Sequence, residues 1–125
     1  MDSGLSKRNR GNKRRGAHWE VTIREYLLKL GLKVQRLTRN GSKDIGDLVV
    51  FTDNGHHYII EAKDVSTSSL AQWCSEAEVE ADNYAQLNRL DRGWVHWIVV
   101  WKRRRHGVER AYVMTSLEEW AAGLG

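Results

Sequence analysis

Three charged residues stand at the rims of segments that otherwise read as buried strands. In GDLVVFTDNGHHYIIEAKD, residues 46 to 64, Asp47 precedes an apolar run, a turn follows, and a second apolar run ends in Glu61-x-Lys63. Such charges are costly unless they are paired or bound to a metal ion. Two carboxylates side by side repel unless a cation neutralises them, and an all-oxygen donor set suits Mg²⁺ or Mn²⁺. An ion of this kind polarises phosphoryl oxygen and lowers the pKa of bound water. A lysine alongside can orient that water or stabilise charge developing on a phosphate. The combination suits phosphodiester hydrolysis. The competing assignment is a structural salt bridge between Glu61 and Lys63 at a sheet edge.

Whether the three charges meet depends on strand register. If Asp53, Asn54 and Gly55 form a three-residue loop with Gly55 left-handed, Thr52 pairs with His56 and Val49 faces Ile59. Asp47 then lies directly opposite Glu61, and side-chain alternation brings Lys63 out on the same face as Glu61. A two-residue loop at Asn54-Gly55 sets Asp47 opposite Ala62 instead, on the face away from Glu61. The convergent register is the expectation.

The elements that must position these residues follow from periodicity. In GAHWEVTIREYLLKLG, Trp19, Ile23, Tyr26, Leu27 and Leu30 recur at helical spacing, and Gly31 is a stop. LKVQRLTR reads as a first strand, NGSKDIG as a polar loop, and the quoted stretch as strands two and three. STSS offers caps for a second helix whose face is Leu70, Trp73, Ala77, Tyr84 and Leu87. WVHWIVVW and VERAYVM read as strands four and five, and Thr115/Glu118 or Ser116/Glu119 as a capping box for a last helix. The order αβββαββα predicts an α/β domain with a mixed five-stranded sheet flanked by helices.

At 125 residues the chain suffices for one domain with a real core. It has no run of 18 apolar residues and no signal-peptide pattern, and its single cysteine, Cys74, suits a reducing compartment; a cytoplasmic protein without a membrane partner is expected. The net charge of +4 is unevenly spread. Lys7, Arg8, Arg10, Lys13, Arg14 and Arg15 face only Asp2 within the first sixteen residues. Residues 1–15 are therefore expected to be a disordered basic arm, and 16–125 a single domain. Such an arm is an electrostatic footprint of nucleic-acid binding, or else a solvated tail.

Several other features have plainer assignments. The acidic segment EAEVEAD, residues 76–82, is expected to turn its exposed face away from a polyanion. KRRR, residues 102–105, is a solvated hairpin tip or a second phosphate contact. His56 and His57 read as ordinary strand positions, Cys74 as packing, and Asp44 as a turn former. Trp94, Trp97 and Trp101 read as mostly core.

The motifs in order resemble the PD-(D/E)xK nuclease superfamily, and within it the archaeal-type Holliday junction resolvases that phages also encode. The matching residues are RRGAHWE at the first helix, VQR ending a strand, NGSKDIGDLVV, and YIIEAKD, spanning residues 14 to 64. The resemblance implies a restriction-endonuclease-like fold and Mg²⁺-dependent cleavage, with Mn²⁺ substituting and no small-molecule cofactor. It implies Asp47, Glu61 and Glu20 as metal ligands, and Lys63 as the residue that positions the attacking water or stabilises phosphorane-like charge. Arg36, Ser42 and Lys43 would meet the phosphate backbone, joined by Arg10, Lys13, Arg14 and Arg15 of the arm. Val21 departs from an arginine usual in that branch, which Arg24 one turn on would replace, and Gly46 departs from the superfamily's proline. The implied substrate is the four-way junction of DNA recombination and repair, cut by a homodimer. A related enzyme acting on linear or damaged DNA, or a non-catalytic DNA-binding module, are the alternatives.

Overall fold

The computed structural model describes residues 3–38 and 43–125, with residues 3–13 as backbone only. Helix α1 spans Ser3–Lys29. Trp19, Ile23 and Leu27, spaced by four, pack on Leu48, Ile60, Ala62 and Val100 and fix the helix to one face of a sheet. The Trp19 indole donates to Val100 O at 3.2 Å. The helix stops in a Schellman motif, in which Leu32 N donates to Leu27 O at 3.2 Å and Gly31 N to Leu28 O at 3.0 Å. Gly31 supplies the left-handed φ of +85° that this ending requires.

Residues 3–15, expected to lack fixed structure, are the first half of this helix. The segment is rich in lysine and arginine and has no proline, so its side chains tolerate a helix. The packed turns after it supply the nucleus from which a helix extends at low cost.

Strands β1 (Lys33–Arg36), β2 (Leu48–Phe51), β3 (His57–Lys63), β4 (Val95–Trp101) and β5 (Tyr112–Met114) form one sheet in sequence order. Only β3 and β4 run parallel, and helix α2 (Leu70–Leu87) makes the crossover between them. It covers the sheet face opposite α1, where Trp73, Ala77, Ala81, Tyr84 and Ala85 meet Val49, Ile59, Val95, Trp97 and Val99. Along β3 the parity is strict: Ile60 and Ala62 belong to the α1 side, Ile59 and Glu61 to the α2 side. The expected αβββαββα order and mixed five-stranded sheet are present.

Details differ from the periodicity. Leu70 and Leu87, at the two ends of α2, are exposed, and Glu80, Ala81 and Ala85 take places on its buried face. The fifth strand is short, because Val108–Arg110 closes into a 3-10 turn. Helix α3 (Leu117–Ala122) is capped by Ser116, whose hydroxyl accepts from Glu119 N at 3.1 Å. The Glu119 carboxylate does not complete the box; it accepts from His96 Nδ1 at 2.7 Å and lies 3.7 Å from Arg92. His96 in turn meets His56 at 2.8 Å, which ties α3 to the sheet. Among the described residues no helix is long and apolar enough to cross a membrane.

Candidate active site at the fork of the central strands

The hairpin joining β2 and β3 has the expected three-residue loop. Thr52 N donates to His56 O at 2.9 Å, and Gly55 sits at φ +89°. The ladder pairs Phe51 with His57 and Val49 with Ile59. Continuing it brings Asp47 to Glu61, just where regular pairing gives way. Asp47 N donates to Ile60 O at 3.0 Å, and its carboxylate accepts from Ala62 N at 2.8 Å. The side chain therefore substitutes for a backbone acceptor and is fixed by the neighbouring strand.

Two helices bring further acids to this fork from opposite faces. Glu20 of α1 lies beside Asp47, and its pKa is pushed up to about 7. Burial is the main cause, Asp47 adds to it, and Arg36 acts the other way. Arg36 Nε lies 3.4 Å from the Glu20 carboxylate. On the α2 side Glu61 is 8% and Glu80 4% exposed, and the two carboxyls face each other. Both pKa values are raised, first by burial, with the charge of Asp47 adding to each. Lys63 emerges on the Glu61 side, 4.0 Å from Glu61 and 3.6 Å from Glu76, with its ammonium 5.8 Å above the Trp73 ring.

Asp47, Glu61, Lys63 and Glu20 thus converge, with Arg36 at the rim. Lys43 turns aside to Gln86 Oε1 at 3.3 Å, and Arg24 Nε is buried without a hydrogen-bond partner. Arg14 and Arg15 are exposed on α1; the side chains of Arg10 and Lys13, and all of Ser42, lie outside the described residues. Asp44 is a turn former, as expected, accepting from Gly46 N at 3.1 Å.

Glu80 is the site residue that the sequence reading missed. Only the exposed face of the acidic segment is expected to turn away from a polyanion; Glu80 lies on the buried face and points into the cluster, and Glu76 reaches Lys63. The signal was present: Glu80 follows Trp73 by seven and precedes Tyr84 by four, which is the spacing of the buried stripe. Arg104 and Lys102 also differ from a solvated tip, lying 2.9 and 3.7 Å from the buried Asp64 carboxylate.

Glu61 Oε2 and Glu80 Oε2 are buried with no donor from the protein. As ionised groups they need a cation, and an all-carboxylate set fits a hard divalent ion. Among the described residues no group of three or more His, Cys, Asp or Glu is already drawn to coordinating geometry. The donor chemistry fits; the acids would have to close around the ion.

Two expected outcomes follow from this geometry. A raised acid favours the folded state below its unfolded pKa, and that contribution is lost as pH rises through the folded value. For Glu20 the window runs from about pH 4.5 to about 7. Metal-free Glu20→Gln should therefore melt about 5 °C above the parent at pH 8 and level with it at pH 4. The lost contact with half-exposed Arg36 subtracts little. Equal melting curves at pH 8 would remove the assigned burial cost.

Gly46 stands at φ +99°, and a Cβ there would lie 2.5 Å from Ile59 Cγ2 and 3.4 Å from Glu80 Oε2. A proline, with φ near −65°, does not fit this turn. Gly46→Ala should cost about 3 kcal/mol from strain and overpacking, lowering the melting temperature by roughly 10 °C. A shift under about 2 °C would contradict this turn geometry.

Comparison with protein families, with curated proteins and with solved structures gives no match for this chain.

Proposed function

We propose that this protein is a metal-dependent DNA endonuclease of the PD-(D/E)xK type with a restriction-endonuclease-like fold, and that it resolves four-way junctions. The supporting observation is the register between β2 and β3, which sets Asp47 beside Glu61 while parity turns Lys63 to the Glu61 side. A salt bridge between Glu61 and Lys63 alone leaves Asp47, Glu20 and Glu80 unexplained, because three further carboxylates add repulsion to any structural pair.

Asp47 and Glu61 would hold a Mg²⁺ ion, with Glu20 and Glu80 flanking it. The bound ion supplies a water of lowered pKa and polarises the phosphoryl oxygen. Lys63, once Glu61 is engaged, donates to the attacked phosphate or to the water and stabilises the added negative charge. Arg36, half-exposed at the rim, offers a guanidinium fork to the next phosphate. The products carry 5′-phosphate and 3′-hydroxyl ends.

Two opposed cuts in a near two-fold junction call for a C2 homodimer. The free β5 edge and α3 expose Val113, Leu117, Trp120 and Leu124, an apolar surface suited to a second copy. The deciding experiment compares Mg²⁺-dependent cleavage of a synthetic four-way junction with that of a matched linear duplex. At least tenfold preference for the junction is expected. Equal rates would leave an endonuclease acting on linear or damaged DNA, and no cleavage of either would leave a binding module.

A further inference from the structure

Directly past Lys63 the chain continues through Asp64, Val65, Ser66 and Thr67 beside the end of β4, where Lys102 N donates to Lys63 O at 2.9 Å. Val65, Ser66 and Thr67 line a depression of about 430 Å³ together with Arg15 of α1 and Arg104. A second depression of about 380 Å³ shares Val65, Ser66 and Arg104 and continues to Trp101, Arg103 and Tyr112. Together they form one groove. No acidic residue is among the described residues that line it.

The groove is held in place from below. Asp64 is 5% exposed, and its carboxylate lies 2.9 Å from Arg104 and 3.7 Å from Lys102. The Trp101 indole donates to Val65 O at 2.8 Å, which fixes the floor. Arg103 lies over the Tyr112 ring at 5.4 Å. One buried carboxylate thus serves two cations, while Arg103 and Arg15 add two more on the walls. Arg104 keeps half of its side chain in solvent. A guanidinium fixed at one edge and open at the other is preorganised for a phosphate.

We propose that this groove binds the sugar-phosphate backbone of the DNA strand adjoining the carboxylate cluster, with Arg104 as its anchor. The inference rests on the endonuclease reading above and names where that strand lies. One strand spacing of about 4.8 Å and three residues of at most about 3.6 Å each separate the Lys63 and Arg104 backbones, about 16 Å at most. Arg104 therefore lies within a few nucleotides of Lys63 along a bound strand. Arg36 grips one side of the reacting phosphate and Arg104 the other.

The test is binding of the full chain to a fluorescent four-way junction and to a matched duplex, with Ca²⁺ replacing Mg²⁺, across a salt series. Arg104→Ala should weaken binding about tenfold, with a log–log salt slope shallower by about 0.9. Ser66→Glu, an exposed substitution that leaves Asp64 paired, should weaken binding similarly. Lys29→Ala removes a positive charge at the far end of α1 and should bind like the parent. If the parent binds DNA while Arg104→Ala and Ser66→Glu retain its affinity and slope, the groove is excluded and the nuclease reading stands. If Lys29→Ala weakens binding as much as Arg104→Ala, net charge is responsible and the groove is again excluded. If the parent binds neither DNA, both proposals fall.

Discussion

Asp47→Asn should lower Mg²⁺-dependent junction cleavage by about 10³-fold or more while leaving the melting temperature within a few degrees of the parent. The two readouts separate because the side chain has two jobs. The amide oxygen of Asn can still accept from Ala62 N, now bonded at 2.8 Å, so the strand fork keeps its pairing. The substitution removes the charge that a divalent ion would meet beside Glu61, and it relieves the repulsion that raises Glu20. Binding to the junction in Ca²⁺ should survive, since the groove and Arg36 are untouched. Cleavage within a few-fold of the parent would sink the metal assignment. Loss of folding would mean that Asp47 serves the hairpin alone.

Glu80→Gln has the second-largest expected effect and runs in opposite directions with and without metal. In the metal-free protein two buried carboxyls face each other with no donor to spare. A Gln amide supplies that donor to Glu61 and removes one buried charge, so the variant should melt higher, by about 5 °C at pH 8. With metal the same change deletes a negative oxygen from the cluster, and the Mg²⁺ concentration for half-maximal cleavage should rise about tenfold or more. Metal titration by stability shift reads the same loss without catalysis. A variant that is less stable without metal, or that keeps the parent's Mg²⁺ requirement, would exclude Glu80 from the cluster.

The core of the candidate site was legible because it lies on one hairpin. A three-residue turn and a period of two are local rules, and together they carry Asp47, Glu61 and Lys63 to one end without knowledge of the rest of the chain. Glu80 was less legible. Composition marked residues 76–82 as an acidic, solvated face, whereas helical phase puts one of those acids under Trp73 and Tyr84. Burial of a carboxylate runs against its own transfer energy, so hydropathy assigns it to the outside. In the basic 102–105 segment the exposed tip was legible, but not the buried Asp64 that holds Arg104 and Lys102.

The sequence by itself determined the element order and the stop of α1 at Gly31, and it narrowed the hairpin to two registers, one of which makes three charged residues converge, since each is governed by spacing over a few turns or pairs. Tertiary structure alone decided that Glu80 joins them, and how Glu20 reaches them. Glu20 and Glu80 lie on helices that cover opposite faces of the sheet, and both act on Asp47 because β2 opens beside Glu61, leaving a fork that both helices reach. The same packing drew Arg15 and Arg104, far apart in the chain, to one depression with Ser66. Such contacts are long-range, and their energetics depend on the solvent they exclude, which no local pattern encodes.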